Sequence, residues 1–127
     1  MSKKGSPIRD SKCLKFLQNS SANTQKSYLQ AIGKYEKFHG LSIEQLIIEA
    51  LDEQTKQIPP HLLKIIDRIE DFQNKLIEDG LVYGTIHTHL SKIKSVYRKN
   101  RVVLPYLEPL NSKRVKRNDV IEFKDIL

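Results

Sequence analysis

The chain predicts an all-α fold, a bundle of four main helices preceded by a short N-terminal one. Three observations carry that expectation. Apolar side chains recur at helical spacing in four separate stretches, most of these stretches open or close on a residue suited to a helix end, and no stretch alternates apolar and polar residues long enough to make a strand.

Residues 1–9 are polar, include Gly5, Ser6 and Pro7, and read as a flexible lead-in. Asp10 can cap a short helix through Leu14, Phe16 and Leu17 that ends in the Asn19, Ser20, Ser21 cluster. A long helix follows over residues 23–39, where Tyr28, Ala31, Ile32, Tyr35 and Phe38 share one face and Gly40 supplies the stop. Ser42 and Gln45 fit the capping box, in which each side chain satisfies the other's backbone N–H, and Ile43, Leu46, Ile47, Ala50 and Leu51 then form a stripe ending near Glu53.

The polar residues 54–57 and the pair Pro59 and Pro60 make a linker, and Pro60 or His61 is placed to start the next helix. Its stripe is Leu62, Ile65, Ile66, Ile69, Phe72, Leu76 and Ile77, with Gly80 at its end. The last main helix starts at Gly84 or Thr85 and reaches about Asn100, turning Ile86, Leu90, Ile93, Val96 and Tyr97 inward. Residues 10–110 thus form one helical domain. Residues 111–127 hold a basic run, Lys113, Arg114, Lys116 and Arg117, followed by the start of a second amphipathic unit.

Lys and Arg number 22 against 15 Asp and Glu, a formal charge of +7. Such a balance favours a polyanionic partner without identifying one. The distribution says more. Between Gly84 and Arg117 the only acidic residue is Glu108, whereas Glu44 to Asp79 holds most of the carboxylates. On a helical wheel the last main helix turns His87, Thr88, Ser91, Lys92, Lys94, Ser95, Arg98 and Lys99 away from its apolar stripe, with Thr85 at its start. A helix that is merely solvated usually mixes signs so that Glu and Lys pair four residues apart.

The helix over 23–39 offers a comparable face of Asn23, Gln25, Lys26, Ser27, Gln30, Lys34 and Lys37, with Glu36 near its boundary. Cations suit phosphates, and amides and hydroxyls suit base edges, so the two faces together predict a double-stranded DNA partner. The helices also share a start signal and inward stripe, Thr24, Tyr28, Leu29 and Ile32 against Thr85, His89, Leu90 and Ile93. Thr24 and Thr85 are expected to cap their helices and are placed to meet the backbone of a bound duplex.

Other chemistry is not indicated. His87 and His89 are two apart and diverge on a helix, His89 being expected in the core or at its boundary and His87 in solvent. No Cys or carboxylate cluster completes a metal site with them or with His39 and His61. No phosphate-binding glycine loop or supported nucleophile occurs, so neither catalysis nor a cofactor is expected of this chain. The lone Cys13 fits a reducing cytoplasm, close to the nucleoid for a DNA-binding protein, and no apolar run nears the roughly 18 residues of a membrane span.

The order of these signals resembles the N-terminal core-binding domain of tyrosine recombinases and phage-type integrases, a SAM-like helical bundle. Asn23-Thr-Gln-Lys-Ser-Tyr28 leading to Ile32, Tyr35 and Phe38 is similar to that family's first long helix. Leu76-Ile-Glu-Asp-Gly80 through Thr85, Leu90, Ile93 and Tyr97 is similar to its later turn and helix. Residues 109–117 look like its basic interdomain linker, and residues 120–127 like the first part of its catalytic domain.

The resemblance implies a C-shaped clamp on DNA, with the two polar helices against the major groove. The Arg, Lys, His and Tyr set that forms a 3′-phosphotyrosine would belong to the catalytic domain of the same polypeptide, and other recombinase protomers would be possible neighbours on the site. Tyr28, Tyr35, Tyr83, Tyr97 and Tyr106 are then not the nucleophile. A stand-alone helical DNA-binding regulator, or a protein-interaction bundle working through its acidic helices, would share the same composition.

Overall fold

The computed structural model describes residues 12–104, and these are helical with no strand among them. A 3-10 turn, Lys12–Leu17, leads into four α-helices: α1 (Ala22–His39), α2 (Ile43–Thr55), α3 (Lys64–Glu78) and α4 (Tyr83–Lys99). The expected all-α bundle of four main helices and a short one is what forms. The lead-in at 1–9, the cap at Asp10, the linker cations Lys113, Arg114, Lys116 and Arg117, and residues 120–127 lie outside the described residues.

The helix ends follow local chemistry with some substitutions of role. Ser21, not Thr24, is the N-cap of α1: its hydroxyl accepts from the backbone N–H of Thr24 at 3.2 Å. Thr24 already sits in the first turn, so its hydroxyl is left to accept from Ser21 Oγ at 3.0 Å. Gly40 closes α1 in the left-handed region (φ 69°), as expected of a stop glycine. The capping box of α2 forms in full, with Ser42 Oγ and Gln45 Oε1 each accepting the other's backbone N–H at 3.1 and 2.9 Å. Thr85 does not cap α4, which begins earlier, from Val82.

The third helix begins later than Pro60 or His61. Pro60–Leu62 instead make one 3-10 turn and α3 starts at Lys64. Its N-cap, Leu63, has no side chain able to accept an N–H. The carboxylate of Glu53, buried at the end of α2, does so in its place, taking the Lys64 N–H at 2.9 and 3.1 Å. A negative charge at a helix N-terminus also complements the helix dipole. Leu62 drops out of the inward stripe and stands 61% exposed, because three residues per turn put it out of phase with the helix that follows.

The core draws Ile32 and Tyr35 from α1, Ile43, Leu46 and Ile47 from α2, Ile65, Ile69, Phe72 and Leu76 from α3, and Ile86, Leu90, Ile93, Val96 and Tyr97 from α4. Leu14 and Leu17 of the first turn close one end. Each large apolar side chain buried this way contributes about 1.5–3 kcal/mol relative to exposure. The broadest helix pairing is α1 with α4, and α3 packs on both. At that junction the Tyr35 and Tyr97 hydroxyls meet at 2.8 Å, and Phe72 lies edge-on to Tyr35 with ring centroids 5.1 Å apart. Burial pushes the Tyr97 phenol up to about 12 and that of Tyr35 higher still, so both stay neutral and one hydroxyl can donate to the other.

A polar cluster ties the other ends together. Arg68 on α3 grips Glu49 on α2 through Nε and Nη2 at 2.6 and 2.8 Å. His39, the last residue of α1, donates Nε2–H to the Arg68 carbonyl at 3.0 Å and accepts from Arg68 Nη1 at Nδ1, at 3.3 Å. That pattern requires a neutral ring. Burial lowers the His39 pKa, the Arg68 carbonyl partly restores it, and the guanidinium charge lowers it further. The hydrogen bond and charge of Arg68 hold the Glu49 carboxyl below its usual range. The chain after α4 is clamped by Gln54, whose amide donates to the Arg101 carbonyl (3.2 Å) and accepts from Val103 N–H (2.8 Å).

Two outcomes follow for stability. Glu53→Ala leaves the first N–H of α3 without its buried acceptor and is expected to cost about 1–3 kcal/mol in denaturant unfolding, with Glu53→Gln costing less. His39 and His89 both have folded pKa values below the unfolded value near 6.5. Their contribution is therefore complete above about pH 6.5 and is lost as pH falls through the folded values. Thermal melts should show Tm falling between about pH 7 and 5, less steeply in His39→Gln; a flat Tm over that window would contradict the neutral-histidine arrangement.

Candidate nucleic-acid interface

Because α1 and α4 pack directly on each other, the polar faces read from the sequence adjoin along one seam. The contacts that fix the seam are specific. Tyr28 on α1 lies beside α4, its hydroxyl 2.8 Å from Ser95 Oγ and its ring 4.6 Å below the Lys92 ammonium, a cation–π arrangement. Lys34 lies near enough to His89 for its charge to lower the imidazole pKa, which burial already depresses. The residues to either side of this line stand in solvent: Asn23, Lys26, Gln30, Lys34 and Lys37 on α1, and Thr85, His87, Thr88, Ser91, Arg98 and Lys99 on α4.

Not every expected side chain is free to meet a ligand. Gln25 turns its amide back on the preceding turn, donating to the carbonyls of Leu17 (3.0 Å) and Ser20 (3.1 Å), so it secures the entry to α1 and is not aimed outward. Ser95 is spent on Tyr28. Lys94 is half-buried, which sets it back from the outermost layer, and that burial together with the charge of Arg98 lowers its pKa. Thr24 is also half-buried, its hydroxyl engaged by Ser21. His89 is buried, as a boundary residue should be, and its Nδ1 has no hydrogen-bond partner among the described residues. His87 is exposed and stacks on Tyr83 at 5.9 Å.

Two features of the face were not visible in the sequence pattern. Glu36 is the one carboxylate of α1, and it points to α2, where it accepts the Ile43 N–H at 2.7 Å. Lys26, Lys34, Lys37, Lys92, Arg98 and Lys99 are therefore the charged groups left to the joint surface of α1 and α4, with Lys94 set back behind them. The ion pairs Lys56–Asp52, Arg68–Glu49 and Lys75–Asp79 belong to α2, α3 and their ends. The second feature is Phe38, read as part of the inward stripe but 38% exposed beside a groove between α1 and α3.

Among the described residues no group of His, Cys, Asp and Glu could hold a metal ion, and no helix is long and apolar enough to cross a membrane. The face can neutralise phosphates and offer hydroxyl and amide donors. Comparison of the chain with protein-family models, with curated proteins and with solved structures finds no match in any of the three.

Proposed function

We propose that this chain binds double-stranded DNA through the joint outer face of α1 and α4, as the SAM-like core-binding domain of a site-specific tyrosine recombinase. The observation that supports this reading best is the pairing of those two helices. It sets their cations and hydroxyls side by side while the only carboxylate of either helix caps α2. Lys26, Lys34, Arg98 and Lys99 neutralise phosphates, and Asn23, Gln30, Thr88, Ser91 and His87, exposed on the same two helices, meet base edges in a major groove. The chain itself breaks no bond. Strand cleavage falls to a catalytic domain of the same polypeptide, with the linker cations Lys113, Arg114, Lys116 and Arg117 tracking the backbone between the two and other protomers assembling on the same site.

Duplex affinity measured by fluorescence anisotropy across roughly 50–200 mM salt should fall linearly on logarithmic axes, with a slope of about −0.9 per phosphate contacted. The triple variant Lys26→Glu, Arg98→Glu, Lys99→Glu should weaken binding and flatten that slope, while costing under about 0.5 kcal/mol of stability per exposed site. Binding that is undetectable at low salt would favour a protein-interaction role for acidic α2 and α3. A stand-alone DNA-binding regulator would use the same face. The two part on the reading frame downstream of Leu127, where the recombinase reading expects an Arg, a His-x-x-Arg and a late Tyr.

A further inference from the structure

A groove of about 550 Å³ lies between α1 and α3, lined by Lys34, Lys37, Phe38, Phe72, Lys75, Leu76 and Asp79. Its size falls in the range of about 300–1,000 Å³ usual for small-ligand sites. The floor is apolar, from the buried Phe72 and Leu76. Phe38 stands at its edge, its ring leaning on Phe72 (centroids 6.1 Å) and His39 (4.8 Å) with the remainder open to the groove. Asp79 is taken by Lys75 at 3.2 Å, which leaves the ammonium groups of Lys34 and Lys37 as the uncompensated charge. An exposed aromatic ring over an apolar floor, flanked by two cations one helical turn apart, matches an occupant with a flat ring and an anionic group on a short tether.

We propose that this groove holds an unpaired nucleotide, its base stacked on Phe38 and its phosphate between Lys34 and Lys37. Charge complementarity selects an anion. Continuity selects a nucleic acid over an acidic peptide, because Lys26, Gln30, Lys34 and Lys37 follow one another along the outer side of α1. A backbone lying along the duplex face thus leads directly into the groove. The inference rests on the reading of α1 and α4 as a nucleic-acid surface and adds a second element to it: a stacking site that an intact duplex, whose bases are already stacked on each other, does not fill.

The test uses two variants of the full chain, which contains no tryptophan. Phe38→Trp keeps a stacking surface and introduces a single reporter, whose emission should be quenched by a short oligothymidylate and far less by a blunt duplex. Phe38→Ala should lower affinity for oligothymidylate at least about fivefold and leave blunt-duplex affinity unchanged. Circular-dichroism melts of both variants establish that each is folded under the binding conditions. Equal effects of Phe38→Ala on single strand and duplex, or no effect on either, would overturn the groove while leaving duplex binding standing. Duplex binding absent with quenching intact would overturn the α1–α4 reading alone. Quenching by an acidic peptide such as oligoglutamate, with none by oligothymidylate, would assign the groove to a protein partner and refute the proposal.

Discussion

The contact between Tyr35 and Tyr97 is the constraint on which the rest of the structure depends. Two phenol hydroxyls 2.8 Å apart, in residues with no exposed surface, share one hydrogen bond, one donating to the other. An unpaired buried hydroxyl costs several times what a typical hydrogen bond contributes, so either tyrosine alone would be a liability at this depth. The pair fixes how α1 lies on α4. Phe72 packs edge-on to Tyr35 and sets α3 against the same point. Ser95 and Lys92 then meet Tyr28, and the outer faces of the two helices fall on one side of the molecule.

Charge follows from that arrangement. Among the described residues, three carboxylates of α1 and α2 are committed to backbone N–H groups or to an arginine. Glu36 holds the first turn of α2, Glu53 the first turn of α3, and Glu49 the guanidinium of Arg68. Each of these contacts stabilises a helix end or a helix pair. Glu36, the only carboxylate on either α1 or α4, is thereby turned from the lysines of the joint face. Stability and surface potential are therefore set by the same residues, and a substitution that frees Glu36 from Ile43 would weaken α2 and place a negative charge near Lys34 and Lys37 at once.

Much of this was legible in the sequence. The apolar periodicity of Ile86, Leu90, Ile93 and Tyr97 and of Ala31, Ile32 and Tyr35 identified the buried faces, since a 3.6-residue repeat leaves little choice of which side turns inward. The Ser42–Gln45 box and the glycine stop at Gly40 were readable because both are local, spanning a few residues. What depended on distant partners was not. Nothing near Lys64 in the sequence says that Glu53 caps α3, and the Pro60 start signal pointed four residues too early for that reason. Helical phase alone cannot tell an outward amide such as that of Gln30 from one folded back on the preceding turn, as at Gln25. Phe38 departs from the pattern for a related reason: its position on the wheel is apolar, yet α3 leaves it only partly covered.

We propose that α1 and α4 act as one surface toward nucleic acid. This is tested most directly by amide chemical-shift mapping of the chain titrated with a blunt duplex at low salt. Shifts should rise together along Lys26, Gln30, Lys34, Thr88, Ser91 and Arg98, with the outer faces of α2 and α3 unmoved. Shifts confined to a single helix, or gathered on the acidic faces of α2 and α3, would contradict the proposal.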